Sequence, residues 1–328
     1  MTNSSSERPS EFALIAELFA PLADAPGAFG LTDDAAVVAP PAGHELVITT
    51  DALVAGVHFL PHDPPSSIAK KALRVNLSDL AAKGAAAAGY LLAISLPAEI
   101  DAEWLAAFAQ GLKQDQREFG ISLYGGDTTS TPGPLTIAIT AFGYVPEGKM
   151  IRRAGALPDD LVFVSGTVGD GGAGLALIRE PLDVSHAVRD FLLHRYQEPR
   201  PRLALGLALR DVASAALDVS DGLLADLGHI AEVSGVRIEV DAHRLPLSAA
   251  LQAVWGDGAD ARVRAATAGD DYEIAFAVAP RHVEQAINAS RDTTAVTQIG
   301  RVVRGQGVAL LDDAGREIAV TRKGYVHF

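Results

Sequence analysis

The sequence predicts a two-domain α/β (α+β) protein, on three observations. Apolar runs of strand length alternate along the chain with stretches whose apolar residues recur at helical spacing. A segment dense in Gly, Pro and charge, VPEGKMIRRAGALPDD, interrupts this series, and a second one follows it. The chain's 328 residues, 48% of them hydrophobic, suffice for two cores of ordinary size. The expected division is a disordered tail at 1–10, a first domain over 11–148 and a second over 149–328.

In order, the first helix is expected from Glu11 to about Leu22, capped by Ser10, with Phe12, Ile15, Phe19 and Leu22 forming a core stripe. ELVITTD reads as a strand and SSIAKKALRVNLSDLAAKG as a helix with a serine cap and a glycine stop; it carries Asn76 and Asp79 on one face. YLLAISLP is a strand, DAEWLAAFAQGLKQDQREFG a capped helix, ISLYGGD a strand entering a glycine turn, and PLTIAITAFGYV a long strand. Beyond the boundary, DLVFVSGTV is a strand and GGAGLALI opens a helix. AALDVSD ends a strand, GLLADLGHIAEVSG is helical, and RIEV, YEIAFAV, AVTQIGRVV and GVALL are strands.

A net charge of −14 without any Lys/Arg run argues against nucleic acid as a partner. No apolar run reaches the roughly 18 residues of a membrane span, and MTNSSSERPS lacks the pattern of a signal peptide. The absence of cysteine excludes disulfides, thiolate catalysis and cysteine-ligated clusters, and fits a cytoplasmic location.

Several aspartates flanked by apolar residues or glycine are expected at strand ends or on adjacent helices: Asp33 and Asp34, Asp51, Asp79, Asp127, Asp170, Asp218 and Asp221. Ligands of α/β folds bind at strand ends, so the set reads as one site assembled from distant segments. Converging carboxylates need their repulsion offset, and with lysine scarce around these motifs divalent cations are favoured. All-oxygen ligands suit Mg²⁺ or Mn²⁺, and Mg²⁺ takes a few carboxylates together with substrate phosphate. Thr49, Thr50, Thr128 and Thr129 add neutral oxygens.

Gly125, Gly126, Gly166, Gly169, Gly171, Gly172 and Gly174 surround the same acids, and glycine-rich backbone can form anion-binding nests. Gly169, Gly171 and Gly174 match G-x-G-x-x-G, but no strand ending in an acid follows about 20 residues later, so a dinucleotide site is not expected. A P-loop motif is absent as well. Pro61 separates His58 from His62 and breaks the helix that would align them on zinc; His58 alone is a candidate contact to substrate. Arg152 and Arg153 are candidates for a phosphate clamp.

The motifs GLTDDAAVV, ITTDALVAGVHF, KALRVNLSDLAAKGA, GGDTT, RRAGALPDD, VSGTVGD, LDVSDGL and GDDYEI, in this order and over nearly the whole chain, resemble the thiamine-monophosphate kinase family. That family shares its fold with aminoimidazole ribonucleotide synthetase. The resemblance implies two domains of that type, the first pairing its sheet with a partner's in a homodimer. It implies transfer of the γ-phosphoryl group of ATP to thiamine monophosphate with several Mg²⁺ ions and no side chain acting as general base. It places Asp34, Asp51, Asp79, Asp127 and Asp218 on metal with Thr49 and Thr50, and Asp221 on a further ion. Gly126, Asp127, Arg153 and Ser220 fall on ATP-contacting positions, and His58, Asp270 and the C-terminal segment near substrate. Three positions depart from the family's usual residues: Thr32 stands for Gly, Asp270 for Glu, and Arg322 for an aromatic residue, for which Tyr325 is a substitute. The alternatives are an aminoimidazole ribonucleotide synthetase-like enzyme and a noncatalytic nucleotide- or Mg²⁺-binding protein.

Overall fold

The computed structural model describes residues 10–180 and 182–326, so the expected tail falls, save Ser10, outside the described residues. The chain divides into two compact units: residues up to Leu80 with Ala86–Glu147, and Ala81–Ala85 with the residues from Gly148 onward.

In the first unit, α1 (Glu11–Leu14) starts where the Ser10 hydroxyl accepts the Ala13 N–H, as expected. It does not continue as a regular helix: a π turn over Ile15–Phe19 and a 3₁₀ turn over Ala20–Leu22 follow. The wider turn rotates the apolar stripe, so Leu14, Phe19 and Leu22 are buried while Phe12 is 82% exposed. The elements after it are β1 (His44–Val54), α2 (Pro65–Ala82), β2 (Ala86–Leu96), α3 (Ala102–Phe119), β3 (Ser122–Ser130) and β4 (Thr136–Pro146). No serine caps α2; it begins on Pro65, whose missing N–H costs nothing in the first turn. Asp101 caps α3 through the Trp104 N–H, and Gly120 closes it at φ 66°.

The sheet runs β1-β4-β2-β3, antiparallel except for the β2/β3 pair. ISLYGGD does not turn at its glycines: β3 continues through them with a bulge opposite Tyr90/Leu91. A Cβ at Gly126 would lie 1.8 Å from Leu92 O, which is why that position takes glycine. One face of the sheet, with Val47, Ile137, Ile139, Leu92 and Ile94, is buried. The opposite face leaves Leu46, Ile48 and Leu91 exposed, Ile48 at 60%.

The second unit contains β5 (Leu161–Ser165), α4 (Asp170–Arg179), α5 (His186–Gln197), α6 (Leu203–Ala208), β6 (Ala213–Asp218), α7 (Leu223–Ser234), β7 (Arg237–Asp241), α8 (Ala249–Trp255), α9 (Ala259–Thr267), β8 (Ile274–Val278), α10 (Val283–Ser290), β9 (Val296–Val303) and β10 (Gly307–Leu311). Its sheet order is β10-β7-β9-β5-β8-β6, antiparallel except for β10/β7. Strand alternation divides the core in two. Val162, Val164, Ala275 and Ala277 meet α4, α7 and α9 on one side, and Phe163, Ile274 and Phe276 meet α6 and α10 on the other. Phe163 stacks on Phe276 with ring centroids 5.5 Å apart. Ala81 and Ala82 join this second cluster, each worth far less than the roughly 1.5–3 kcal/mol of a fully buried Leu.

Candidate functional site

In the first unit a cavity of about 720 Å³ opens on the exposed face of the sheet, where Gly126, Asp127, Leu91 and Thr140 meet Asp33 and Asp34. The chain reaches it through an unusual bend, with Phe29, Gly30 and Leu31 at φ 51°, 61° and 58°. Left-handed conformations at non-glycine residues cost about 1–3 kcal/mol each and persist only where the surroundings impose them. Thr32 returns to φ −100° and its hydroxyl donates to Phe29 O at 2.7 Å, so a side chain here meets no backbone penalty. Asp33 Oδ1 then accepts the Asp34 N–H at 2.8 Å. The neighbouring acids thus differ: Asp33 ties the loop that presents Asp34.

Asp51 and Asp127 do not sit at strand ends, because β1 and β3 run on past both. Alternation along β1 also separates two residues the sequence grouped together. The Thr49 hydroxyl donates to Asp79 Oδ2 at 2.5 Å, on the face toward α2, and Asp51 shares that face. Thr50 points the other way, accepting from Thr140 Oγ1 at 3.0 Å and donating to Ile139 O. His58 folds back on β1, its Nδ1 accepting the Val54 N–H at 3.0 Å.

In the second unit β6 ends on Asp218, and the loop after it holds Ser220, Asp221 and Gly222. Asp226 Oδ2 accepts the N–H groups of all three, at 3.0, 3.1 and 3.1 Å. Burial, then the charge of Asp221, push its carboxyl up to about 7, against the pull of those amides. With the amide of Ser220 engaged there and its carbonyl accepting the Asp270 N–H, its hydroxyl is what it can offer a ligand. The Tyr325 N–H donates to Asp221 O at 2.8 Å, bringing the C-terminal segment to the same loop. Arg153 is exposed, beside Arg152, whose carbonyl accepts the Ala216 N–H of β6.

The glycine nest at the start of α4 is closed to phosphate. Gly169 N–H and Gly171 N–H donate to the two oxygens of Asp271 at 2.7 and 3.3 Å, an acid buried so completely that its carboxyl is raised well above the usual range. Gly171 is also held by packing, since a Cβ there would lie 2.2 Å from Asp270 O. Asp170 serves the structure too: it accepts from Thr167 and Ser248 hydroxyls at 2.5 Å each and is fully buried.

Among the described residues no three His, Asp or Glu side chains gather closely enough to hold a metal ion by themselves. The acids present still suit Mg²⁺ in kind, since that ion uses one or two carboxylates and draws its other ligands from water and phosphate. Asp34 with Asp127 on the cavity side, and Asp79 with its Thr49 partner, offer oxygen alone.

Models of the N-terminal and C-terminal domains of AIR synthase related proteins match residues 32–145 and 158–313. A thiamine-monophosphate kinase of Caulobacter vibrioides is 46% identical over 97% of this chain and 91% of its own length. The chain belongs to the thiamine-monophosphate kinase family. The crystal structure of the thiamine-monophosphate kinase from Stenotrophomonas maltophilia K279a matches with a TM-score of 0.80 at 43% identity, over 88% of this chain and 91% of that one. AaThiL complexed with AMPPCP and TMP matches with a TM-score of 0.78 at 31% identity, over 92% and 97%.

Measured against this family's usual residues, Arg322 folds onto its own segment. Its Nε donates to Gly324 O at 2.9 Å, and its guanidinium stands 5.9 Å from the centre of the Tyr325 ring, a cation already placed against that aromatic face. Asp226, Asp271 and Glu273 lie outside the set of acids expected from the sequence. Glu273 accepts from Ser165, Arg195 and Arg202, all within the second unit. Acids followed or preceded by strongly apolar runs, as in GLLADL and DDYEIAF, were the available signal.

Proposed function

We propose that this chain transfers the γ-phosphoryl group of ATP to thiamine monophosphate, giving thiamine diphosphate and ADP. The observation that carries this reading is kinship with thiamine-monophosphate kinases over 97% of the chain, supported by a solved relative complexed with AMPPCP and TMP. The acceptor is a phosphate monoester whose second pKa is about 6, so it is already largely ionised near neutral pH and needs no general base. The side chains therefore have to align two anions and balance their charge.

Asp34, Asp51, Asp79, Asp127, Asp218 and Asp221 would hold Mg²⁺, with Thr49 as a neutral oxygen and Thr50 on the cavity side. Bound there, Mg²⁺ neutralises charge on the phosphoryl oxygens. The exposed Arg153 presents a guanidinium fork to ATP phosphate, Ser220 its hydroxyl, and Gly126 a backbone that ligand can approach. His58, accepting at Nδ1, carries its proton on Nε2 and can donate to the acceptor's phosphate. Asp270 supplies the carboxylate for the cationic thiazolium ring, and Tyr325, whose amide is bonded to Asp221 O, is the aromatic residue of the C-terminal segment offered to substrate.

The protein acts as a homodimer in this reading, joined through the apolar face that carries Leu46, Ile48 and Leu91, and it works in the cytoplasm. No helix among the described residues is long and apolar enough to cross a membrane.

Incubating the purified protein with Mg-ATP and thiamine monophosphate, then separating products by chromatography, should yield thiamine diphosphate and ADP in equal amounts. ATP binding without any transfer would instead mark a noncatalytic protein. Turnover of formylglycinamidine ribonucleotide with thiamine monophosphate ignored would mark an aminoimidazole ribonucleotide synthetase-like enzyme.

A further inference from the structure

Residues 270–273, Asp-Asp-Tyr-Glu, alternate between anchoring the loop and facing outward. Asp271 and Glu273 are fully buried, while Asp270 and Tyr272 are half-buried. Asp271 is fastened by the Gly169 and Gly171 amides, and Arg195 donates to its carbonyl at 3.3 Å. Glu273 is fastened by Ser165 at 2.6 Å, Arg195 at 2.9 Å and Arg202 Nε at 2.7 Å. Backbone bonds to the loop after β6 complete the frame: Asp270 N–H to Ser220 O at 2.9 Å, Tyr272 N–H to Val219 O at 2.7 Å, and Val219 N–H to Glu273 O at 2.8 Å.

Held in this way, both outward residues take the left-handed backbone conformation, Asp270 at φ 66° and Tyr272 at φ 52°. Asp tolerates that region, but for a bulky aromatic residue it is an outlier, and such strain concentrates where geometry serves a ligand. Its result is local. The Tyr272 ring comes back over its neighbour but one, and its hydroxyl donates to Asp270 Oδ1 at 3.2 Å.

We propose that Tyr272 is a positioning residue for substrate recognition: its hydroxyl fixes the orientation of the Asp270 carboxylate, which attracts the cationic ring of thiamine monophosphate. The inference rests on the reading of Asp270 as a substrate contact. It gives a purpose to the left-handed backbone of Tyr272, an outlier for a bulky residue, which here accompanies a ring whose hydroxyl reaches Asp270. It also suits the shorter acid: a carboxylate with one methylene less has less reach, and an unfixed one would spend that reach on alternative rotamers.

The test uses the full-length enzyme and three variants, Tyr272→Phe, Asp270→Asn and the double variant, with kinetics at saturating Mg-ATP and thermal melting alongside. Tyr272→Phe keeps the ring and should raise KM for thiamine monophosphate by about three- to tenfold, the weight of one hydrogen bond. Its kcat should stay within about twofold, and KM for ATP and the melting midpoint should not move, because only substrate binding is affected. Asp270→Asn should raise the same KM at least as much, and the double variant should be no worse than Asp270→Asn alone, since Tyr272 acts through that carboxylate. An unchanged KM in Tyr272→Phe overturns the proposal, as does an equal further increase when it is added to Asp270→Asn, or a shift of both KM values together with the melting midpoint. If Asp270→Asn itself leaves KM unaltered, the substrate-contact reading fails and this inference falls with it. If Asp270→Asn raises KM while Tyr272→Phe does not, this inference alone fails.

Discussion

The Thr49 hydroxyl of β1 donates to the Asp79 carboxylate of α2 at 2.5 Å, joining two of the acid-bearing motifs within one unit. Asp51 follows two residues later on the same face of the strand. Thr49→Val keeps the shape and removes the donor. It should cost about 1 kcal/mol of stability and raise the Mg²⁺ concentration needed for half-maximal activity. Asp51→Asn should abolish transfer while circular dichroism remains that of the folded protein. Near-normal activity of Asp51→Asn at limiting Mg²⁺ would contradict the metal assignment.

Asp226 makes stability depend on pH in a defined direction. Unfolded, it titrates near 3.8; folded, it keeps its proton up to about 7 because it is buried beside Asp221. Between these values the folded chain binds more protons, so the stability this group contributes is complete in acid and is lost as pH rises through about 7. Asp226→Asn still offers an oxygen to the three amides and cannot ionise. Urea titrations of the metal-free proteins at about pH 4.5 and about pH 7.5 should show the Asn variant gaining on the parent at the higher pH. A difference that is the same at both would refute the assignment.

Arg74 and Asp115 form a two-bond pair inside the first unit, Nε to Oδ2 and Nη2 to Oδ1 at 2.7 Å each, with Asp115 fully buried. Burial raises the Asp115 carboxyl, and Arg74 is the chief influence opposing it. Arg74→Leu leaves that acid without its partner and should cost about 3–5 kcal/mol, read as a lower urea midpoint. Replacing both residues by Leu should cost much less than Arg74→Leu alone, because no charge is then stranded.

Ile48 is the residue to change for the proposed dimer. Ile48→Glu places a charge in the exposed apolar face beside Leu46 and Leu91 without touching the buried side of the sheet. Sedimentation should show a dimer for the parent and a monomer for the variant, with the far-ultraviolet spectrum unchanged. A variant that still sediments as a dimer would move the interface elsewhere.

Much of the architecture was legible because it rests on periodicity. β5 alternates Val162 and Val164 against Phe163, and its two faces indeed meet different cores. Helix ends written in Ser10, Asp101 and Gly120 also stood where the chemistry of capping puts them. What misled was register. One residue inserted as a π turn sends Phe12 outward, a bulge carries β3 through glycines that looked like a turn, and strand alternation parts Thr49 from Thr50. The acids were recognisable as a group, but their division of labour depends on long-range partners. Nothing near Asp271 announces that Gly169, a hundred residues earlier in the chain, will donate to it.

Two glycine-bearing turns of the second unit, at Gly169–Gly171 and Ser220–Gly222, are each tied by a carboxylate from the chain itself. Such turns are usually thought of as ordered by the nucleotide they grip. Here the acceptor is built in, so the loops reach their final shape when the chain folds and a ligand meets surfaces already set. The entropy of ordering them is spent during synthesis, once per molecule, and not at every catalytic cycle.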